Sequence, residues 1–392
     1  MMRIIPLLLA AALLAGAAPP EVTNVRAGQR AGTKLVDITY NLASPDGGLS
    51  TIQIELSLDG GLSWRAPVNT LTGAIGENVT AGNNRVATWN AGVDFDGNLA
   101  DNCRARVTAF DGDDPTPPVG MVYIPPGTFQ MGDDHTSSAT PTIVTITKGY
   151  FISRSEEEFS EFENVNIWGK TKGYDTNASG SIGFSVRGLG WNRACQYANA
   201  KSEMEGLEPV YYDDVEFTVI AKNSTSLGAT RPNFRKPSAN GFRLPTSAEW
   251  EMAARGGQVG KRFANGDLIS NKTANIFGDS DIDYDQSLII GNPAEAVDTG
   301  SEALLVPPLT FAPNGFGLFQ IDGNLSEFVW DHFHNLPVDP QIDPMGHKGG
   351  VRGGDYTQRA SGIRLGSRKR FSSNRNHTSS TTGVRLVRNV PE

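Results

Sequence analysis

An acidic, proline-rich segment, DGDDPTPP at residues 111–118, divides this sequence into two regions with different hydrophobic patterns. Closely spaced prolines and carboxylates keep a chain extended and contribute nothing to a core. A chain of 392 residues is long enough for about two or three domains. We therefore expect two separately packed domains, over 19–112 and 119–392, joined by a linker at 113–118.

The first twenty residues, MMRIIPLLLAAALLAGAAPP, have the pattern of a targeting segment. Arg3 precedes an apolar run that ends in small residues, and the run is too short to cross a bilayer as a helix. This pattern is typical of a cleaved secretory signal. We expect residues 1–18 to be a signal peptide and the mature protein to be secreted or periplasmic. No later run is long and apolar enough to predict a membrane span.

Residues 19–112 alternate apolar and polar side chains, as half-buried strands do. LVDITY, IQIELSL, RVATW and CRARVTAF all follow this pattern, and Ile52, Ile54 and Leu56 share one face. DGG at 59–61 is a hairpin signal. Strands at this spacing predict an all-β sandwich of the immunoglobulin or fibronectin type.

The two cysteines, Cys103 and Cys195, fall in different predicted domains. Cys103 shares the apolar face of CRARVTAF, and Cys195 lies in a helical segment. An exported protein can form disulfides. Their placement favours two buried thiols, with a disulfide as the alternative.

The second region contains two clear helices among short strands and loops. The first is predicted over 191–204, with Gly206 placed to end it. In LPTSAEWEMAARGG, Thr246 and Glu249 have the spacing of a capping box, and Gly256 follows the helix. The rest is rich in Gly, Asn and Pro, which predicts an α+β domain with short elements and many loops.

Several segments of this region resemble, in order, the formylglycine-generating enzyme (sulfatase-modifying factor) domain family. They are GMVYIPPGTFQMGD, WNRACQYANAKSEMEGLEPVYY, GFRLPTSAEWEMAARGG, PNGFGLFQIDGNLSEFVWD, VRGGDY and TGVRLVR. The resemblance covers about 119–389 and implies the C-type-lectin-like fold. It carries no implication for the first domain.

The family's oxidase chemistry requires residues that this chain lacks. The resemblance implies a cysteine pair just after a G-G-S-[WY] element, where soft thiolates bind copper(I). Here residues 355–363 read DYTQRASGI, and no cysteine follows Cys195. We therefore expect neither copper nor formylglycine-generating activity, and assign no catalytic residue. Tyr356, Gln358 and Arg359 match the place where those cysteines open onto the substrate groove, and we predict them to contact a ligand.

The resemblance also implies a calcium loop within GLFQIDGNLSEF. By that match Gln320 and Glu327 offer side-chain oxygens, and Gly323 and Leu325 offer carbonyls, which suit calcium. The alternative is a turn held by Glu327 alone.

A second calcium segment is implied at ANIFGDSDIDYD, through Asn275 and the carbonyl of Ile276. Aspartates follow at alternate positions, and like charges so close repel unless solvated or bridged by a cation. A solvated acidic loop is the alternative. His332 and His334, in WDHFHN, have chelating spacing, but no third ligand is in sight, and we interpret them as polar residues of an exposed loop.

The C-terminal segment is rich in arginine although the chain carries a formal net charge of −9. By the resemblance, these arginines pair with internal acids and carbonyls of a loop-rich core. We expect Arg364, Arg370 and Arg385 to be structural in this way. Nucleic acid is not an expected partner, because only Tyr356 and Phe371 lie nearby for stacking.

These observations predict an exported, non-catalytic binding protein. Its ligand would be a carbohydrate, a sulfated polymer or a protein. Two alternatives stay open. One is an oxidoreductase with a different metal set, as in the family's non-haem iron branch. The other is a display protein whose C-terminal SSNRNHTSSTTG is diversified by a retroelement.

Overall fold

Two units make up the chain, Met1–Asp114 and Pro115–Glu392, and the boundary falls inside the predicted linker. The structure is a computed structural model. It describes residues 20–45, 47–58, 68–97, 102–111, 114–133, 141–223, 234–279, 281–287, 291–292, 304–371 and 377–391. The predicted signal peptide at 1–18 and the hairpin turn at 59–61 lie outside the described residues.

The described part of the first unit consists of antiparallel strands and one helical turn. These are β1 (Glu21–Gln29), β2 (Leu35–Ala43), β3 (Ser50–Ser57), β4 (Thr72–Gly73), β5 (Gly76–Val79), β6 (Gly82–Asn90), α1 (Ala91–Asp94) and β7 (Arg104–Asp111). They form two sheets, ordered β1-β2-β6-β4 and β5-β3-β7. Ile38, Ile54, Trp89 and Val107 come from both sheets and share one hydrophobic core. The alternating pattern correctly predicts four of these strands, β2, β3, β6 and β7, and the immunoglobulin or fibronectin type stays a prediction.

Cys103 is exposed, so the expectation that it is buried is wrong. The pairing of β7 with β3 begins at Arg104, opposite Ser57, and Cys103 lies just before it. The apolar face of the strand therefore starts after the cysteine. Cys195 is buried as expected, and neither cysteine forms a disulfide.

The second unit combines many short strands with few helices. Its elements are β8 (Met121–Ile124), β9 (Gly127–Met131), β10 (Thr142–Ile146), β11 (Tyr150–Ser153), α2 (Phe159–Thr171), α3 (Trp191–Met204), β12 (Tyr211–Tyr212), β13 (Phe234–Arg235), β14 (Phe242–Arg243), α4 (Ser247–Arg255), β15 (Ser326–His332), β16 (Gln341–Ile342), β17 (His347–Arg352), β18 (Lys369–Arg370), β19 (Thr382–Gly383) and β20 (Val387–Asn389). No helix in the described part of the chain has the length and apolar character needed to cross a bilayer.

Two four-stranded sheets place the end of the second unit against its beginning. One has the order β14-β20-β11-β8, and the other has the order β18-β17-β15-β19. Because β20 pairs with both β11 and β14, the last strand of the chain lies inside the first of these sheets. In the second sheet, residues 353–368 lie between β17 and β18, so a strand adjoins each end of this segment.

The capping box predicted for α4 is confirmed. The Glu249 N–H donates to Thr246 Oγ1 at 3.1 Å, and the Thr246 N–H donates to Glu249 Oε2 at 2.8 Å. Gly256 ends the helix in the left-handed conformation, with φ 56°. Trp250 is buried on the inner face, as expected from its position in the pattern. The bounds predicted for α3 are also confirmed.

Helix α2 has no start signal in the sequence. Its N-cap residue, Glu158, makes no side-chain capping hydrogen bond. The buried residues Phe162, Val165, Asn166 and Gly169 do recur at helical spacing. That periodicity is the signal from which α2 could have been predicted.

We expect Thr246→Ala to destabilise the protein by about 1 kcal/mol, because the Glu249 N–H loses its acceptor at a buried helix start. Thr246→Ser keeps a hydroxyl acceptor and should stay close to the wild type. The measurement is chemical denaturation of the three proteins. Equal midpoints for the alanine and serine variants would show that the cap contributes nothing.

Candidate functional site

The segment from Gly353 to Ile363 forms a tight loop, and two successive glycines allow the chain to turn into it. Gly353 and Gly354 have φ values of 81° and 72°, which residues with a Cβ rarely adopt. A Cβ on Gly354 would also clash with the Ile363 side chain. Ile363 is fully buried in a cluster with Phe263 and Ile276. The loop therefore lies on a hydrophobic base.

Asp355 organises the start of this loop. Its Oδ1 accepts hydrogen bonds from the N–H and the hydroxyl of Thr357, at 3.1 and 2.5 Å. Its Oδ2 accepts from Gln358 Nε2 at 2.7 Å and from the Ser326 hydroxyl at 3.2 Å. The Oε1 of Gln358 in turn accepts from Lys369 Nζ at 2.6 Å. The Gln358 side chain is thus held at one end by the carboxylate of Asp355 and at the other by the exposed Lys369.

The three residues predicted to contact a ligand differ in exposure and in the side chains that they contact. Tyr356 is partly buried. The Arg359 side chain is 59% exposed, and its Nη1 donates to Asp279 Oδ2 at 2.5 Å. Gln358 is directed toward Lys369 instead. Arg359 therefore neutralises part of the acidic segment that begins at Asp279.

The loop predicted to bind calcium is held by a buried salt bridge. Glu327 accepts three hydrogen bonds from Arg385 at 2.7–2.9 Å, and its Oε2 also accepts from Trp250 Nε1 at 2.5 Å. Gln320 Oε1 accepts from the Leu309 N–H at 3.0 Å. A calcium ion bound through Glu327 would have to displace Arg385, so these side chains as placed do not fit the ion. Calcium at this loop stays a prediction.

The other predicted calcium ligands lie in one region beside this loop. Asn275 forms a β-bridge with Gly323, and Leu325 nearby in sequence is fully buried. Asn275 Oδ1 and the Ile276 carbonyl oxygen each lie 3.4 Å from Asn292 Nδ2. Two of the predicted calcium-binding oxygens therefore lie close enough together to accept from the same nitrogen, Asn292 Nδ2.

Three carboxylates close to these loops have raised pKa values. Burial, and next the charge of Glu327, raise the pKa of Glu156 to about 7. Burial raises the pKa of Asp322 to about 7 and that of Asp331 to about 6. Asp322 is partly exposed as a residue, but its Oδ1 is buried and has no hydrogen-bond partner in the described structure. Its Oδ2 accepts only from the Ala264 N–H, at 2.9 Å.

A second ion-pair cluster joins α4 to β17. Glu251 accepts from Arg352 at 2.5 Å through Oε2 and from Arg255 at 2.6 Å through Oε1. The guanidinium of Arg352 also stacks over Trp250, with 5.0 Å to the ring centroid. These contacts confirm that buried arginines pair with internal acids, as they do at Arg385.

Arg364 and Arg370 differ in their surroundings. Arg364 is buried, and its Nε lies 3.5 Å from Asp133 Oδ2. Arg370 is exposed, so the expectation that it pairs inside the core is wrong. It belongs to β18, a two-residue strand at the edge of its sheet in which both residues are exposed.

A cleft of about 850 Å³ lies beside the loop, at Arg370. It is lined by His332, Phe333, His334, His347, Lys348, Ser361, Gly362, Arg364, Gly366, Ser367, Arg368, Lys369 and Arg370. No sequence-based prediction located this cleft. The available signal was the run from Arg364 to Arg370, which contains four cations and no carboxylate.

The two histidines of the H-x-H pair have different environments. His332 ends β15 and is buried, with its Nδ1 3.1 Å from the His347 carbonyl oxygen, and burial lowers its pKa. His334 is exposed. The prediction of an exposed loop is therefore wrong for His332, because the strand continues to it. Within the described ranges, no three His, Cys, Asp or Glu side chains come together as a metal site.

Comparison with known proteins gives a match to one family model, that of the sulfatase-modifying factor enzyme 1-like domain, over residues 108–390. The matched range includes the loop, both ion-pair clusters and the cleft.

Similar sequences include enzymes of the formylglycine-generating type. A chaperone protein LppX of Paenibacillus barcinonensis is 30% identical over 172 residues, which cover 42% of this chain and 58% of that protein. A formylglycine-generating enzyme of Streptomyces coelicolor is 35% identical over 127 residues, covering 30% and 36%. That of Bos taurus is 27% identical over 266 residues, covering 62% and 67%. The chain spans less than two thirds of the length of the first two.

Two solved structures share the fold. Treponema denticola variable protein 1 has a TM-score of 0.53 at 23% identity, and covers 69% of this chain and 95% of its own. CarF has a TM-score of 0.51 at 23% identity, covering 70% and 99%. At such identities the likeness concerns the fold and does not extend to function.

We expect Arg385→Ala to cost about 3–5 kcal/mol, because it leaves Glu327 charged and unpaired in the interior. Arg370→Ala is the matched control and should cost less than about 0.5 kcal/mol, since its side chain is exposed. Chemical denaturation measures both. A similar loss in both variants would contradict the division of the arginines.

We expect the Asp322 carboxyl to make stability depend on pH. The folded pKa of about 7 is above the usual value of about 3.9. Between these values the unfolded carboxyl loses its proton while the folded carboxyl keeps it. The stability that this carboxyl contributes is therefore fully present below about pH 4 and is lost as the pH rises through 7. Asp322→Asn should therefore gain stability over the wild type, by a few kcal/mol at most, between about pH 4 and 7.

The control for this prediction is Asp339→Asn, because Asp339 is exposed. Free energies of unfolding are measured at several pH values for the three proteins. A constant difference between Asp322→Asn and the wild type across this range would refute the assignment.

Proposed function

The chain belongs to the family of sulfatase-modifying factor enzyme 1-like domains, and we propose that it is a ligand-binding member of that family which does not generate formylglycine. The observation that carries this proposal is the content of the loop after Gly354. Gln358 and Ile363 stand in the segment where the family's cysteine pair belongs, and neither can supply a thiolate.

The copper ion of the family does not fit the residues of this loop. Gln358 is engaged with Asp355 and Lys369, and Ile363 is buried among apolar side chains. Cys195 is fully buried in α3, and Cys103 belongs to the other unit. No step of an oxidase reaction is therefore assigned to this chain.

The surface around the loop supports a binding role. Arg359 is exposed, Gln358 has a fixed orientation, and the cleft beside them is of the size that holds small ligands. Rigid strands hold both ends of the loop, so its side chains are positioned before a ligand arrives. The proposed ligand is a carbohydrate, a sulfated polymer or a protein.

The proposal includes export of the protein. The N-terminal pattern of Arg3, an apolar run and small residues supports a cleaved signal and a secreted or periplasmic protein. In this view, the first unit is an immunoglobulin-like or fibronectin-like spacer. Calcium remains part of the proposal at the Asn275 segment, where the Asn292 amide nitrogen that now donates to both oxygens would have to move aside, and not at Glu327, which Arg385 holds.

We expect the mature protein, supplied with copper(I) and oxygen, to leave the cysteine of a sulfatase-derived peptide unchanged in mass. The Streptomyces coelicolor enzyme is the positive control. On a glycan and peptide panel, Arg359→Ala should lose binding with little change in melting temperature. Oxidation of the substrate cysteine to the aldehyde by the protein alone would overturn the proposed function.

A further inference from the structure

The cleft beside the loop carries a concentration of positive charge that the rest of this acidic chain does not predict. Among the residues that the structure describes, five Lys and Arg side chains and three histidines line it, and no carboxylate does. The whole chain has a formal net charge of −9. A concave surface of one sign focuses the electrostatic potential and attracts ions of the opposite sign.

These cations are placed by the fold. Lys348 lies over the Trp330 ring, at 5.2 Å from the centroid. Lys369 is tied to Gln358 at 2.6 Å. Burial, and next the charge of Arg352, lower the pKa of Arg368 to about 10. The charges of Glu251 and Asp133 oppose this lowering of the pKa, and an anion bound in the cleft would add to their effect.

Arg364 adds a buried cation to the wall of the cleft. Its Nε lies 3.5 Å from Asp133 Oδ2, which makes an ion pair longer than a usual hydrogen bond. Oxyanions are the strongest acceptors for a guanidinium, so an anionic group bound in the cleft would add to this long pair.

We infer that this cleft binds a saccharide carrying several sulfate or phosphate esters. The inference rests on the proposed binding function and specifies its ligand. Five cations around about 850 Å³ are matched by several anions on one or two sugar rings. A phosphopeptide usually presents one phosphate at a time. Single-stranded nucleic acid requires a row of stacking aromatics, and Phe333 is the one phenylalanine, tyrosine or tryptophan in the lining as far as the structure describes it.

The test is calorimetric titration of the full mature protein at low and high salt. The probes are a heparin-derived tetrasaccharide, its desulfated counterpart, glucose 1,6-bisphosphate, a singly phosphorylated peptide and an oligothymidylate. We expect the tetrasaccharide or the bisphosphate to bind, more weakly at high salt, and the desulfated sugar not to bind. The two binding arms distinguish sulfate from phosphate esters.

The variant is Arg370→Glu, because Arg370 is exposed in the cleft and its loss should not affect folding. The control is Arg26→Glu, an exposed arginine of the first unit with the same change in net charge. We expect Arg370→Glu to weaken binding by roughly tenfold or more, since an attraction becomes a repulsion. Arg26→Glu should bind like the wild type.

Equal weakening in both variants, no binding of either anionic sugar, or tighter binding of the peptide or the oligothymidylate would overturn the inference. If an uncharged glycan or a protein binds instead, and Arg359→Ala weakens it, the inference fails while the proposed function stands. Formation of formylglycine would refute the proposed function, whether or not the anionic probes bind.

Discussion

The salt bridge between Glu327 and Arg385 holds the second unit together. The side chains are 1% and 0% exposed. Arg385 also donates to the carbonyl oxygens of Ser153 and Phe319, at 2.9 and 2.8 Å. The Arg385 guanidinium thus joins the end of β11, the loop at Phe319 and β15 to the segment just before β20. Short strands leave carbonyls without ladder partners, and each of the three guanidinium nitrogens of Arg385 donates to such a carbonyl or to Glu327, which makes the buried charge tolerable.

The candidate site depends on this framework. Glu251 binds Arg352 at the end of β17, and the two glycines that follow turn the chain into the loop at 355–363. Interior acids hold Arg352 and Arg385, whereas Arg364, Arg368, Lys369 and Arg370 line the cleft. Structural arginines and cleft-lining cations are therefore neighbours in sequence.

The loop at 355–363 contains no thiol; it presents an amide, a guanidinium and a buried isoleucine. The scaffold still positions side chains rigidly beside a cleft, which suits recognition of a ligand. A positively charged cleft in a negatively charged protein also favours fast, salt-sensitive encounter with anions.

The sequence by itself determined four strands of the first unit, β2, β3, β6 and β7, helices α3 and α4 with the Thr246 cap, and the family of the second unit. Each of these is coded locally, by alternation, by a capping motif or by an ordered set of motifs. Only the tertiary structure decided that Arg370 is exposed while Arg385 is buried, that Arg359 pairs with Asp279, and that the cations from 364 to 370 meet Lys348 and three histidines. Burial and long-range pairing depend on which segments pack together, and residues far apart in the chain carry no local mark of the partner they will meet.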